Sequence, residues 1–313
     1  MSQLQPESRA RRRRVPRALA FFGAFALVLS AVACSSDDDS PSADRPEATT
    51  TTAKQAVTTN AITIETPGME FDVSGSLRPG VATITFENTS DEAHMLAMAP
   101  MKDGVTVDQV KDALAKGEGD DAVTPLLAEP PDQAVFGTPA PVGAGQSTTV
   151  TAKDLPAGNY VLLCFFTDDS GTPHFAMGMV GQLEVKGEKA TAEPKSEATI
   201  TLDDSGITIP DGFDGHGTFL VTNSGKAPHS ISFAKLDDGT TLDAYYQHIG
   251  EAMNSGKAVD GGGGTFTGGV DGLLPGQSAY LTIDLAAGHY GYISTTDANG
   301  PEIPAQHGEL DIS

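Results

Sequence analysis

Cysteine, positive charge and long apolar runs are all scarce in this chain. Its two cysteines, Cys34 and Cys164, are too few for a disulfide framework. With 19 Lys and Arg against 42 Asp and Glu, the formal charge is −23, which repels nucleic acid and anionic lipid. One apolar run stands out, Ala18 to Val32, and it is too short to span a bilayer comfortably. Catalytic motifs are missing too. No Gly-rich phosphate loop opens a helix, Gly261 to Gly264 reading as a flexible loop, and no Ser, His and Asp share a motif-like spacing. Paired carboxylates are too abundant in so acidic a chain to single any out. The expectation is a protein that is not an enzyme and does not bind nucleic acid.

What is present begins with an address. Arg9, Arg11, Arg12, Arg13, Arg14 and Arg17 precede the apolar run, which ends at small residues in the manner of a cleavable signal. Ala31, Val32, Ala33 and Cys34 resemble a bacterial lipobox, with Ala31 where Leu is more usual. The same residues also satisfy an Ala-x-Ala cleavage site, which implies secretion without a lipid. The following segment favours lipidation. Residues 34–60 hold almost no large apolar side chain and read as a disordered tether behind a signal peptide at 1–33. A diacyl, palmitate-type anchor on Cys34 holds a protein stably on a membrane where one acyl chain does not. The expected location is the outer face of the cell membrane. Loss of the signal leaves 13 basic against 41 acidic residues, a formal −28, which suits solubility and equally suits a basic redox partner.

The rest of the chain repeats itself. Thr83 to Lys116 aligns with Thr218 to Glu251 at a constant offset of 135, pairing Asn88 with Asn223, His94 with His229, Asp103 with Asp238 and Thr106 with Thr241. Gly145-Gln146 matches Gly276-Gln277, and Leu155 to Tyr160 matches Leu285 to Tyr290. Residues 187–197 are charged and apolar-poor, and read as a linker between domains at 61–186 and 198–313. Ile62 to Ile64, Thr83 to Phe86 and Gly181 to Val185 alternate apolar with polar residues, as half-buried strands do, and Pro79-Gly80 and Pro275-Gly276 supply turns. Thr106 and Gln109 form a capping-box pattern ahead of Val107, Val110 and Leu114. The expected fold is all-β, two Greek-key sandwiches with one short helix each.

Chemistry concentrates in Tyr160 to Val185, YVLLCFFTDDSGTPHFAMGMVGQLEV. Cys164 stands near the end of an apolar strand, His174 follows ten residues on, and Met179 five after that. This order resembles that of the cupredoxins, the small blue-copper proteins, and Pro173 to Met179 is similar to the matching loop of pseudoazurins. His94, shortly after Phe86-Glu87-Asn88, matches the place of the family's early histidine. The resemblance implies a copper ion held by His94, Cys164 and His174, with Met179 as a weak axial ligand, and single-electron transfer as the function. A thiolate and two imidazoles suit copper in both oxidation states, and a thioether tunes the potential. Nine residues separate Cys164 from His174, more than in plastocyanins or pseudoazurins, with Asp168 and Asp169 among them; copper nitrite reductases are similar in this length. Phe165, Phe166, Pro173, Phe175 and Met177 are expected to form an apolar rim for a partner.

Each residue alone has a plainer reading: Cys164 as core, His94 as a hydrogen-bonded strand residue, Met179 as packing. Met95, Met98, Met101, Met177 and Met179 together also fit a Cu(I) carrier, although strand alternation turns Met95 away from His94, Leu96 and Met98. Met177 and Met179 compete for the axial position, and family spacing favours Met179. In the second copy Ser294 aligns with Cys164, Pro301 with His174 and Gln306 with Met179, leaving His229 alone, so that copy is expected to be metal-free, a scaffold or docking module. Its other histidines, His216, His248, His289 and His307, read as solvated or structural. A metal-free scaffold or adhesion lipoprotein is the remaining alternative.

Overall fold

The computed structural model describes residues 60–116, 123–129, 136–294 and 306–313. Cys34, the signal and nearly all of the tether, and Pro301 lie outside the described residues. Ala56–Ser313 is one compact unit. No helix among the described residues is long and apolar enough to cross a membrane.

Alternation sets the first strands. In β1 (Ala61–Thr66), Ile62 and Ile64 are buried while Ala61, Thr63 and Glu65 are not. Then come β2 (Asp72–Gly75), β3 (Gly80–Asn88), β4 (Ala97–Pro100), α1 (Val107–Leu114), β5 (Thr138–Pro139), β6 (Ser147–Leu155), β7 (Gly158–Leu163) and β8 (Val180–Val185). The second half has β9 (Ala198–Asp203), β10 (Gly206–Thr208), β11 (His216–Asn223), β12 (His229–Leu236), α2 (Leu242–Ser255), β13 (Gly264–Leu273), β14 (Ser278–Asp284), β15 (Gly288–Ile293) and β16 (His307–Ile312). The fold is all-β with one α-helix in each half among the described residues.

Both helices start where the sequence says. Thr106 caps α1 in a complete capping box with Gln109, and Val110 and Leu114 are its buried face. Thr241 caps α2, and Gly256, at φ +61°, ends it in the left-handed conformation that glycine adopts without strain.

Strand pairing repeats between the halves. β1 runs parallel to β3, which pairs antiparallel with β6; β9 runs parallel to β11, which pairs antiparallel with β14. Tyr160 and Tyr290 donate their hydroxyls to the carbonyls of Pro156 and Ala286, four residues upstream, at 2.8 Å each. The two triplets then join. β6 pairs antiparallel with β14, Val150 opposite Leu281, so one eight-stranded sheet runs β10-β9-β11-β14-β6-β3-β1-β2 through both halves. Against it pack a three-stranded sheet, β4-β7-β8, and a five-stranded one, β16-β15-β12-β13-β5, whose edge strand β5 comes from the first half. Joining β6 to β14 removes two free strand edges that otherwise invite aggregation.

Four apolar clusters fill the layers. One lies between the long sheet and β7–β8, around Ile64, Phe86, Tyr160 and Leu162, and its counterpart in the second half surrounds Val221, Phe233 and Tyr290. α1 packs Val110 and Leu114 with Val161 and Val180. The fourth cluster crosses the halves: Tyr245, Ile249, Val259 and Phe266 of the second pack with Ala93, Cys164, Phe166 and Met179 of the first.

Candidate metal centre

The centre is assembled by two chain reversals, each pinned by a polar side chain. The first follows β3. Asn88, buried at the strand's end, donates through Nδ2 to the carbonyls of Glu92 at 2.7 Å and Val142 at 3.2 Å, and its Oδ1 accepts from the backbone N–H of Ser90. Asn223 makes the matching bonds to Ala227 and Leu273. The turned chain pairs His94 with Val142 in a short bridge, N to O 2.9 Å and 3.0 Å. His94 thereby points inward, fully buried.

The second reversal carries the chain from Cys164, next after β7, to His174. Asp168 accepts from the backbone N–H groups of Ser170 at 2.9 Å and Thr172 at 2.8 Å, tightening the loop, and Thr167 bridges Pro173 at its neck. The Ser170 hydroxyl, which also donates to Asp168 at 2.7 Å, and then these N–H bonds hold the Asp168 carboxyl below its usual range. The acidic loop residue thus has a structural role that composition did not reveal. Below the neck, His174 N–H donates to Phe166 O at 2.8 Å and Phe175 N–H to Cys164 O at 3.0 Å. A single 3-10 turn, His174–Met177, then returns the chain to Met179, whose N–H donates to His174 O at 3.0 Å.

Three donor atoms converge. Nδ1 of His94 lies 3.2 Å from Nδ1 of His174, and Sγ of Cys164 lies 3.9 Å and 3.4 Å from them respectively. The point equidistant from all three is about 2 Å from each, the length of a metal–imidazole bond (~2.0–2.1 Å) and slightly inside a metal–thiolate bond (~2.3 Å). All three residues are buried, and they are the one group of three or more His, Cys, Asp or Glu side chains with metal-binding spacing among the described residues. A soft thiolate with two imidazoles is the donor set that copper favours. The centre fits copper.

Charge and tautomer agree with that fit. Burial, with the His174 ring beside it, pulls His94 down to about 4, and burial lowers His174 despite the raising pull of Asp168. Both rings are therefore neutral near pH 7. The Ser90 hydroxyl proton is taken by Asn88 Oδ1 at 2.7 Å, with Glu92 O at 3.2 Å, so its oxygen, which also accepts from the Glu92 N–H at 3.4 Å, is left to accept from His94 Nε2, 3.0 Å away. That places the His94 proton on Nε2 and leaves the Nδ1 lone pair facing Cys164. His174 Nε2 faces Glu92 Oε2 at 3.4 Å, without the alignment of a hydrogen bond. Burial pushes the Cys164 thiol up to about 11, opposed by a backbone N–H from Met95, 3.4 Å from Sγ.

The two candidate thioethers part company. Met179 is fully buried in the cluster that contains Cys164, whereas Met177 is 37 % exposed. Met98 and Met101 are buried in two other clusters. Of the expected apolar rim, Phe165, Pro173 and Phe175 are half-buried and Met177 is exposed, but Phe166 is not at the surface. It is 5 % exposed, its ring stacked on Phe266 of the second half at 6.0 Å. Ser90 and Glu92 were missed in the sequence, since nothing in their spacing separates them from ordinary loop residues.

In the second half, His229 Nδ1 lies 3.1 Å from Ser294 Oγ, the relationship His94 has to Cys164 with a hydroxyl for the thiol. Its Nε2 faces Asp204 at 3.2 Å. Gln306 is buried nearby in sequence register, and Ser294 N–H donates to its carbonyl. His216, His289 and His307 each face separate carboxylates, Asp284, Asp311 with Glu309, and Asp243, and His248 faces the Asp260 carbonyl.

No family model and no curated protein matches the chain. Among solved structures, it is similar to dithionite-reduced auracyanin from Roseiflexus castenholzii, at 25% identity over 41% of this chain and 98% of that one, with a TM-score of 0.29. Auracyanin A from Chloroflexus aurantiacus, titled a "blue" copper protein, is similar at 22% identity over 40% of this chain and 98% of that one, TM-score 0.26. Across more of the chain, a copper-containing nitrite reductase from Thermus scotoductus is similar at 10% identity over 80% of this chain and 60% of that one, TM-score 0.21.

Proposed function

We propose that this protein is a type 1 copper carrier of single electrons, built from tandem cupredoxin-like domains at 61–186 and 198–313 and held by a lipid on Cys34 at the outer face of the cell membrane. One observation carries the reading: the three inward atoms of His94, Cys164 and His174 surround one point at ligand distance. Copper, when bound, supplies a reversible one-electron couple. The chain's own residues do the rest. Cys164 and the two Nδ1 atoms would hold the ion, with the buried Met179 as the thioether that would tune it. Asn88 and Ser90 fix the His94 ring, while Asp168 and the Thr167–Pro173 neck fix the loop bearing His174. Donors fixed by packing and hydrogen bonds rearrange little when the ion changes charge.

Electron transfer is favoured over enzymatic turnover because His94, Cys164 and His174 are all buried, which shields the centre from substrates in bulk solvent. A Cu(I) carrier using the same donors is the second reading. The separate clusters that hold Met98 and Met101 weaken it, since these thioethers do not converge on the centre. Cu(II) titration of the full chain tests both. An intense visible charge-transfer band at one equivalent, lost in Cys164→Ser, is expected. Tight colourless Cu(I) binding without a band favours the carrier, and no stoichiometric copper uptake overturns both.

A further inference from the structure

The fourth apolar cluster places the second half directly against the centre, and polar contacts there are specific. Ala93, 2 % exposed, precedes His94, and its N–H donates to Oδ1 of Asp260 at 2.8 Å. The next two N–H groups are held within the first half, His94 by Val142 O and Met95 by Cys164 Sγ. The ligand-bearing segment 93–95 therefore has one of its three N–H groups fixed by a carboxylate from the other half of the chain.

Asp260 ends a short segment that leaves α2 and touches both limbs of the centre. At its start, a Cβ on Gly171 would stand 2.7 Å from the Gly256 carbonyl oxygen, so the loop between Cys164 and His174 lies flush against it. Lys257 O accepts from Thr167 Oγ1, in the same loop, at 2.7 Å. Val259, 2 % exposed, packs in the cluster of Cys164 and Met179. Asp260 then takes Ala93. Residues 256–260 thus hold the Cys164–His174 limb at one end and the His94 limb at the other.

We propose that Asp260 is a positioning residue for the metal centre, and that through residues 256–260 the second half sets the separation of the two ligand-bearing limbs. This rests on the copper reading above. Donors must sit within about 0.5 Å of their working positions for a site to keep its character. A buried N–H deprived of its acceptor finds another only by moving its backbone, and Ala93 cannot move without carrying His94. Contacts outside the ligands themselves commonly change metal retention by about 10–100-fold.

The test uses the full chain loaded with Cu(II), reading the charge-transfer band and the rate of copper release to a chelator in wild type, Asp260→Ala, Asp260→Asn and Thr167→Val. Asn keeps an acceptor oxygen and loses the charge. Asp260→Ala is expected to shift the band and release copper about tenfold faster, with Asp260→Asn within about twofold of wild type and Thr167→Val between them. An Asp260→Ala protein with the wild-type band and release rate overturns the proposal, as does an Asp260→Asn protein as impaired as Asp260→Ala. If Asp260→Ala fails to fold, Thr167→Val decides: unchanged band and release overturn the two-limb grip. A wild-type chain with no band defeats the copper reading instead, before any variant is compared.

Discussion

His94 and His174 meet edge to face across the centre, ring centroids 5.0 Å apart and Nδ1 atoms 3.2 Å apart. Two imidazoles so placed cannot both be charged inside a buried cluster. The folded His94 titrates near 4 instead of the ordinary 6.5, so the unfolded chain binds protons more readily between these values. Stability of the metal-free protein is therefore intact above pH 6.5 and declines as pH falls towards 4, by roughly 3 kcal/mol from His94 alone. Denaturant midpoints measured from pH 7.5 to 4 should show that loss. His94→Gln should flatten the decline.

Copper loading should release about one proton at neutral pH. The Cys164 thiol, pushed up to about 11 by burial, is protonated in the metal-free protein and must ionise to bind. The neutral histidines contribute none. Titration calorimetry in buffers of different ionisation enthalpy measures the number directly, and two or more protons would contradict the neutral state of the two rings.

Ser90→Ala removes the oxygen that accepts from His94 Nε2. Free to adopt the other tautomer and to turn, the ring should bind copper about 10–100-fold more weakly, with little change in secondary structure. Competition with a chelator of known affinity reads this.

Met179→Leu and Met177→Leu form a matched pair, since both conserve volume and should change stability by less than about 1.5 kcal/mol. Only Met179→Leu should move the reduction potential and the absorption spectrum. An effect confined to Met177→Leu would reassign the axial thioether to an exposed side chain.

Much of this was legible because the relevant patterns are local. The capping box of Thr106 and Gln109, the alternation in β1 and the convergence of His94, Cys164 and His174 all survive translation into three dimensions. What was illegible depends on which surface meets which. Phe166 reads as apolar whether it faces a partner protein or Phe266 of the same chain, and its sequence context alone points to the rim. Likewise, nothing in the alternation of β6 says that its free edge pairs with β14. Asp260 is one carboxylate among 42 acidic residues until Ala93 is seen beside it.

The eight-stranded sheet carries a mechanical consequence. Backbone hydrogen bonds between Thr149 to Ala152 and Ala279 to Thr282 weld the halves together, so the 187–197 segment is a strap across a seam and not a hinge. The body should melt in a single step, and swivelling of one half against the other is unavailable. Any reorientation must come from the whole body turning as a unit.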